Sequence, residues 1–313
     1  MYRHFFDARI NISPMERRSA LKSIGGILLA PALSLGNLSN DKPALRIAHL
    51  TDIHLKNKFD APARFTKCLH HMQQQSPKVD LILNGGDIVF DMNKENIGTI
   101  SDQWKLYKSV WANECSLPIN YCLGNHDIWW NENDKQQALY GKQYSMEQIG
   151  LHAPYYSFTK NGWKFILLDS VHLDIDNTWY IGKLGDEQFA WLENELKTTD
   201  SWMPVLVMSH IPILTATNLI EDDIVNKWEM TGGDMHTDVA KIISLFYKYP
   251  NVKLCLSGHI HLREKLVYNN VTYICNGAVS GAWWEGNRRE TAPGYGIIDL
   301  YADGSFKEDY INY

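Results

Sequence analysis

Cysteine is scarce and poorly arranged for cross-linking. The five present, Cys68, Cys115, Cys122, Cys255 and Cys275, are odd in number and form no C-x-x-C pair. Neither a full disulfide framework nor a cysteine zinc knuckle is indicated. Cys122 and Cys255 fall inside apolar runs and read as small buried side chains. Positive charge is short as well: 30 Lys and Arg stand against 36 Asp and Glu, a net charge of -6. That excludes a duplex-binding surface built on bulk positive charge. The chain has no internal repeat and no low-complexity tract. No apolar run is long enough to make a confident membrane span.

What is present is a core. Hydrophobic residues make up 45% of the 313, which excludes global disorder. The first forty residues differ from the rest. Arg17-Arg18 precede Ser19-Ala-Leu-Lys22, and an apolar run with small residues covers Ile24 to Leu35. A charged region, an apolar run and small residues make the pattern of an export signal. The paired arginines resemble the twin-arginine type. Residues 1–40 are therefore expected to be signal and linker, and 41–313 one domain of an exported, periplasmic protein. An uncleaved signal acting as a membrane anchor is the alternative.

Ala44 to Leu50, Val79 to Leu83 and Ile119 to Leu123 read as buried strands. Helical spacing lies between them, over Pro62 to Gln75 and from about Asp102 to Trp111. Strand, helix, strand, helix, strand implies neighbouring parallel strands. Residues 128–150 are polar and read as an excursion over the strand ends. A hairpin follows, Tyr155 to Thr159 and Trp163 to Leu168, turning at Asn161-Gly162. Next come a helix over Gly185 to Thr198, a strand Val205 to Met208, a helix marked by Val239, Ile242, Ile243 and Phe246, and a strand Val252 to Leu256. The tail is β-rich, with turns at Asn269-Asn270 and Asp303-Gly304 and a strand from Thr272 to Gly277. The fold class is α/β: two packed mixed β-sheets flanked by helices.

Five of these apolar strands end in polar chemistry: Asp52-x-His54, Gly86-Asp87, Asn125-His126-Asp127, Ser209-His210 and His259-x-His261. Any one of them alone reads as a turn, a cap or a surface residue. Together, at the carboxyl ends of strands in one sheet system, they would converge. Carboxylate, imidazole and amide oxygen suit iron, manganese or zinc. There are too many donors for one four-coordinate site, which points to two divalent metal ions. In extended backbone, residues two apart share a face. Asp52 with His54, and His259 with His261, are therefore expected as paired grips.

The ordered blocks resemble the five motifs of the calcineurin-like metallophosphoesterases, over roughly residues 44 to 280. The resemblance implies a four-layer αββα sandwich. It implies that Asp52, His54, Asp87 and His261 hold one ion, and Asp87, Asn125, His210 and His259 the other, with Asp87 bridging. It implies that His126 is not a ligand but faces the leaving group. Many members carry an acidic partner for that histidine where this chain has Phe90. Asp127 or Asp91 is left to take the part. Two ions ~3.5–4 Å apart share a water and lower its pKa, so a metal-bridging hydroxide is expected to attack phosphorus while protonated His126 serves the departing oxygen.

Trp129-Trp130 follow the third motif and Trp283-Trp284 follow the last core strand. Both pairs are candidates to wall the pocket and stack on a substrate ring, against the plainer reading as cover for the sheet edge. Arg288 is a candidate for extra phosphate oxygens. The expected activity is hydrolysis of small phosphate mono- or diesters, nucleotides among them. A pyrophosphohydrolase of a nucleotide-linked lipid or sugar, and a metal-binding protein without turnover, are the alternatives.

Overall fold

The computed structural model describes residues 42–174, 180–220 and 231–313. The expected export segment, 1–40, lies outside the described residues. Among the described residues no helix is long and apolar enough to cross a membrane.

The first third alternates strand and helix: β1 (Leu45–Leu50), α1 (Ala61–Gln73), β2 (Leu81–Asn84), α2 (Ile97–Glu114), β3 (Ile119–Tyr121) and α3 (Gln143–Ile149). A hairpin of β4 (Tyr156–Lys160) and β5 (Trp163–Leu167) follows, then a ribbon of β6 (Val171–Leu173) and β7 (Tyr180–Gly182). Then come α4 (Gly185–Thr198), β8 (Val205–Met208), α5 (Val239–Lys248) and β9 (Val252–Ser257). Four strands close the chain: β10 (Glu264–Tyr268), β11 (Val271–Cys275), β12 (Gly294–Leu300) and β13 (Phe306–Asn312).

One sheet runs β13-β12-β1-β2-β3, with β1, β2 and β3 parallel. The other runs β10-β11-β9-β8-β5-β4, with β11, β9, β8 and β5 parallel. Strand alternation decides what each face meets. Leu45, Ile47, Leu81 and Leu83 point inward and pack with Phe165, Leu167, Leu206, Met208, Leu254 and Leu256 of the second sheet. The intervening residues Ala48, Leu50 and Ile82 point outward, beneath Phe65, Leu69 and Met72 of α1 and Trp104 of α2. On the far side, Ile166, Val205, Val207 and Cys255 pack under Leu192 of α4 and Ile242 and Phe246 of α5. Helix, sheet, sheet, helix is thus the order of layers, as expected.

Some local expectations change. Helix α2 begins five residues early because Asn96 caps it, its side chain accepting the Thr99 N–H. The polar stretch 128–150 holds α3, whose Tyr144, Ser145 and Met146 are buried. The ribbon β6–β7 was not foreseen. The Asn161-Gly162 turn forms as read, with both residues at positive φ, 47° and 83°. All five cysteines are free and buried.

Candidate metal centre

The chemistry sits beyond the carboxyl ends of β1, β2, β3, β8 and β9, and the two sheets share it. The first sheet brings Asp52, His54, Asp87 and Asn125; the second brings His210, His259 and His261. The loops after β1 and β2 run side by side: the Asp52 N–H donates to Gly86 O at 3.0 Å, and the His54 N–H to Asp87 O at 2.9 Å. These loops do not extend the strands, so the expectation of paired side chains on an extended backbone is corrected. Asp52, His54, Asp87, His259 and His261 all adopt positive φ, between 45° and 75°. That left-handed backbone is uncommon outside glycine and costs ~1–2 kcal/mol per residue. It turns each side chain sharply back over the strand ends, which is how residues two apart come to share one pocket. Gly124 makes room for the result, since a Cβ there would run into Asp87.

The donors fall into two buried groups, Asp52 with His54 and His261, and Asp87 with His210 and His259. Asp87 spans both: its Oδ2 lies 3.4 Å from His54 Nε2 and 3.3 Å from His210 Nε2. Its other oxygen accepts the His126 backbone N–H at 2.8 Å. Asp52 Oδ1 lies 3.3 Å from His261 Nε2. Asn125 Oδ1 lies 3.1 Å from His210 Nε2.

The outer ring nitrogens decide whether cations fit. His54 Nδ1 faces Phe90 O at 3.3 Å, His210 Nδ1 faces Gly85 O at 2.7 Å, and His261 Nδ1 faces Gly281 O at 2.8 Å. A carbonyl only accepts, so each Nδ1 carries a proton and each Nε2 turns inward, where its lone pair can ligate once that nitrogen holds no proton. His54 and His261 then meet lone pair to lone pair at 3.1 Å, a contact that a cation between them relieves. The donor set fits two divalent ions.

Electrostatics agree. Burial alone would raise the Asp52 and Asp87 carboxyls, but His261 beside Asp52 and His210 beside Asp87 hold both below the ordinary range. Burial opposes a proton on His210, yet Asp87 lifts its pKa to about 9, so a cation would displace the Nε2 proton on binding. His54 and His259 are pushed down to about 3, chiefly by burial. They are neutral at pH 7, as ligands must be.

His126 stands at the rim, 5.0 Å from the His54 ring centre. Its Nδ1 lies 3.2 Å from Asp91 Oδ1, off the direction of a straight hydrogen bond. Asp91 is itself clamped by Gln103, which accepts its N–H and donates to its carbonyl, at 2.9 and 2.7 Å. Burial disfavours charge on His126, but Asp87 and then Asp91 outweigh it and raise the pKa. Asp127, expected as a catalytic residue, is corrected. Its carboxylate accepts the N–H groups of Ile88, Val89 and Gly124 at 2.8, 3.2 and 2.9 Å, and it is fully buried. It ties the loop after β2 to the loop after β3. The two open candidates for the acidic partner thus separate, and Asp91 is the one beside the imidazole.

The tryptophan pairs split. Trp283 lies over the site, its ring centre 3.8 Å from that of His54 and 4.8 Å from that of His126. Trp284 is buried, donating Nε1–H to His54 O at 2.9 Å beneath the Arg64 guanidinium. Trp129 is buried too, donating to Glu95 O at 3.2 Å. Trp130 packs on Ile128, Val171, Tyr180 and Ile211. Trp129, Trp130 and Trp284 are therefore framework, and only Trp283 meets the expectation of a pocket wall. A cavity of about 230 Å³ opens over the donors, walled by Trp283, Arg288, Tyr180 and Asp234. Tyr180 and Asp234 escaped the sequence reading because a ribbon and a loop bring them in, with no motif to mark them.

Residues 45–263 match the sequence profile of the family described as calcineurin-like phosphoesterase. A 3',5'-cyclic-nucleotide phosphodiesterase of Nostoc is 24% identical over 283 residues, covering 85% of this chain and 92% of the relative. A 3',5'-cyclic adenosine monophosphate phosphodiesterase of Escherichia coli K12 is 23% identical over 272 residues, covering 83% and 87%. A solved dimetal phosphatase from Danio rerio superposes with a TM-score of 0.58 at 14% identity, covering 83% of this chain and 94% of that one. This last likeness is one of fold.

Proposed function

The chain belongs to the calcineurin-like phosphoesterases, and on that premise we propose that it hydrolyses phosphodiesters of the nucleotide class in a dinuclear metal centre. It is a metal-dependent phosphoric ester hydrolase. The observation that carries the reading is Asp87 Oδ2, 3.4 Å from His54 Nε2 and 3.3 Å from His210 Nε2. One carboxylate oxygen between two imidazole donors is what a bridging ligand requires. Asp52, His54 and His261 would complete one cage, and Asn125, His210 and His259 the other. Imidazole and carboxylate donors favour iron, manganese or zinc. Bound there, the pair supplies Lewis acidity to a phosphoryl oxygen and acidifies water.

The remaining work falls to the chain. His126, whose pKa Asp87 and Asp91 raise, is placed to donate to the departing oxygen. Its backbone N–H on Asp87 fixes the acid relative to the shared ligand. Trp283 walls the leaving-group side and excludes water there. The diester preference is supported by the cyclic-nucleotide relatives. The twin-arginine-like start supports export to the periplasm, which a fractionation of the full-length chain before and after substitution of Arg17 and Arg18 checks.

The central test is Asp87→Asn. Loss of one metal equivalent and of cyclic-nucleotide hydrolysis is expected. Full turnover in that variant, or wild-type hydrolysis of monoesters and pyrophosphates but no diester, overturns the proposal.

A further inference from the structure

Beyond the metal centre a second, larger cavity of about 670 Å³ opens, with Phe90 on its wall. The two are joined by aromatic surface. Trp283 stands 4.8 Å from His126 and 5.5 Å from Phe90, measured between ring centres. The path therefore leaves the site on the side of the proton donor, where the oxygen that parts from phosphorus lies together with the nucleoside that carries it.

Around Phe90 sits an arrangement the reaction does not use. Lys56 Nζ lies 4.2 Å from the ring centre of Phe90 and 4.5 Å from that of Phe59. Two aromatic faces thus address one point. Phe59 is 52% exposed and holds a positive φ of 54°. A bulky residue pays a steric cost for that backbone, and exposure gives little packing to offset it. Such an outlier points to a role.

We infer that Lys56, Phe59 and Phe90 form a leaving-group subsite for a planar heteroaromatic ring of the nucleobase class. This rests on the phosphodiesterase reading of the neighbouring centre. A ring stacks on either phenylalanine face, while the Lys56 ammonium donates to a ring nitrogen or carbonyl. The lining also carries Glu95 and Asp102, acceptors for exocyclic amino groups. Their charges balance those of Lys56 and Lys58, so the cavity suits a neutral ring with donors and acceptors rather than a second phosphate. Its volume falls in the range of small-molecule sites, ~300–1,000 Å³.

The test uses the full chain and a probe without phosphate, the fluorescent nucleoside 2-aminopurine riboside. Its quenching is titrated with and without bound metal. Wild type is expected to quench in both states, and Phe59→Ala and Lys56→Gln to raise Kd roughly fivefold or more, as loss of a stacked ring predicts. Trp202→Ala, at an exposed tryptophan elsewhere, is expected to match wild type. In cyclic purine nucleotide hydrolysis, the two subsite variants should raise KM more than they lower kcat. Equal Kd in all four proteins, or no quenching, overturns the subsite even if diester hydrolysis stands. Quenching that responds to Phe59 and Lys56 in a protein with no esterase activity keeps the subsite and sinks the phosphodiesterase reading instead.

Discussion

Asp91 and Asp127 are both acidic candidates to partner one imidazole yet serve different ends, and substitution separates them. Asp91→Ala removes the group 3.2 Å from His126 Nδ1 and touches no donor of the metal cages. Its expected signature is lower kcat with unchanged metal content. His126→Ala should cost ~10²–10⁴-fold in rate, more for esters with poor leaving groups, again with metals retained. Asp127→Ala strands three buried N–H groups, each worth ~1–3 kcal/mol. Chemical denaturation should show that loss as a destabilised protein. If Asp127→Ala keeps its stability and loses only rate, the structural assignment is wrong. The sequence left this choice open because residues 91 and 127 are both acidic and both near a motif; only the backbone path says which carboxylate turns inward. The tryptophan pairs teach the same lesson. Trp283 and Trp284 are adjacent, but both take positive φ, 56° and 73°, and one ring ends over the site while the other ends in the core.

At the scale of elements, strand tips were the legible part. Alternation in Leu45–Leu50 and Leu81–Asn84 encodes which face is buried, and the polar residues after each run mark where the sheet stops. Helix ends were less so: α2 gains a turn from one capping asparagine, and α3 hides in a polar stretch because only three of its side chains are buried. The left-handed turns at the donors had only a faint sequence signature, since aspartate and histidine are enriched among non-glycine residues at positive φ yet seldom adopt it. One junction offers a pH test. Asp238, at the start of α5, accepts the Leu184 N–H at 2.9 Å and faces His236 Nδ1 at 3.2 Å. Burial would raise its carboxyl, but the His236 hydrogen bond and the Leu184 N–H together hold it below the ordinary 3.8. Its stabilisation is thus complete above that value and lost as pH falls through the lowered one. Asp238→Asn should remove that contribution, so the acid limb of its unfolding curve is expected to be shallower. Parallel acid limbs for the two proteins contradict it.

For the molecule as a whole, the donors divide between sheets that touch through the Leu45–Leu83 and Phe165–Leu256 layer. A cation held by Asp52 and His54 from one sheet and His261 from the other fastens them together. Binding only to the folded form stabilises by ~2.7 kcal/mol at a hundred times Kd. Manganese or zinc added to chelator-treated protein is therefore expected to raise the melting temperature, and His261→Ala to reduce that rise. An unchanged melting temperature with stoichiometric metal would contradict the fastening.

The same division sets a clock. A nascent polypeptide that has emerged only past Asn125 carries Asp52, His54 and Asp87 but none of His210, His259 and His261. It has three of the four donors of one cage and two of the four of the other, and no phosphoester can be cut until the later sheet has been synthesised and docked. Catalytic competence is thereby reserved for the finished molecule, and unfinished chains are harmless to the phosphoesters around them.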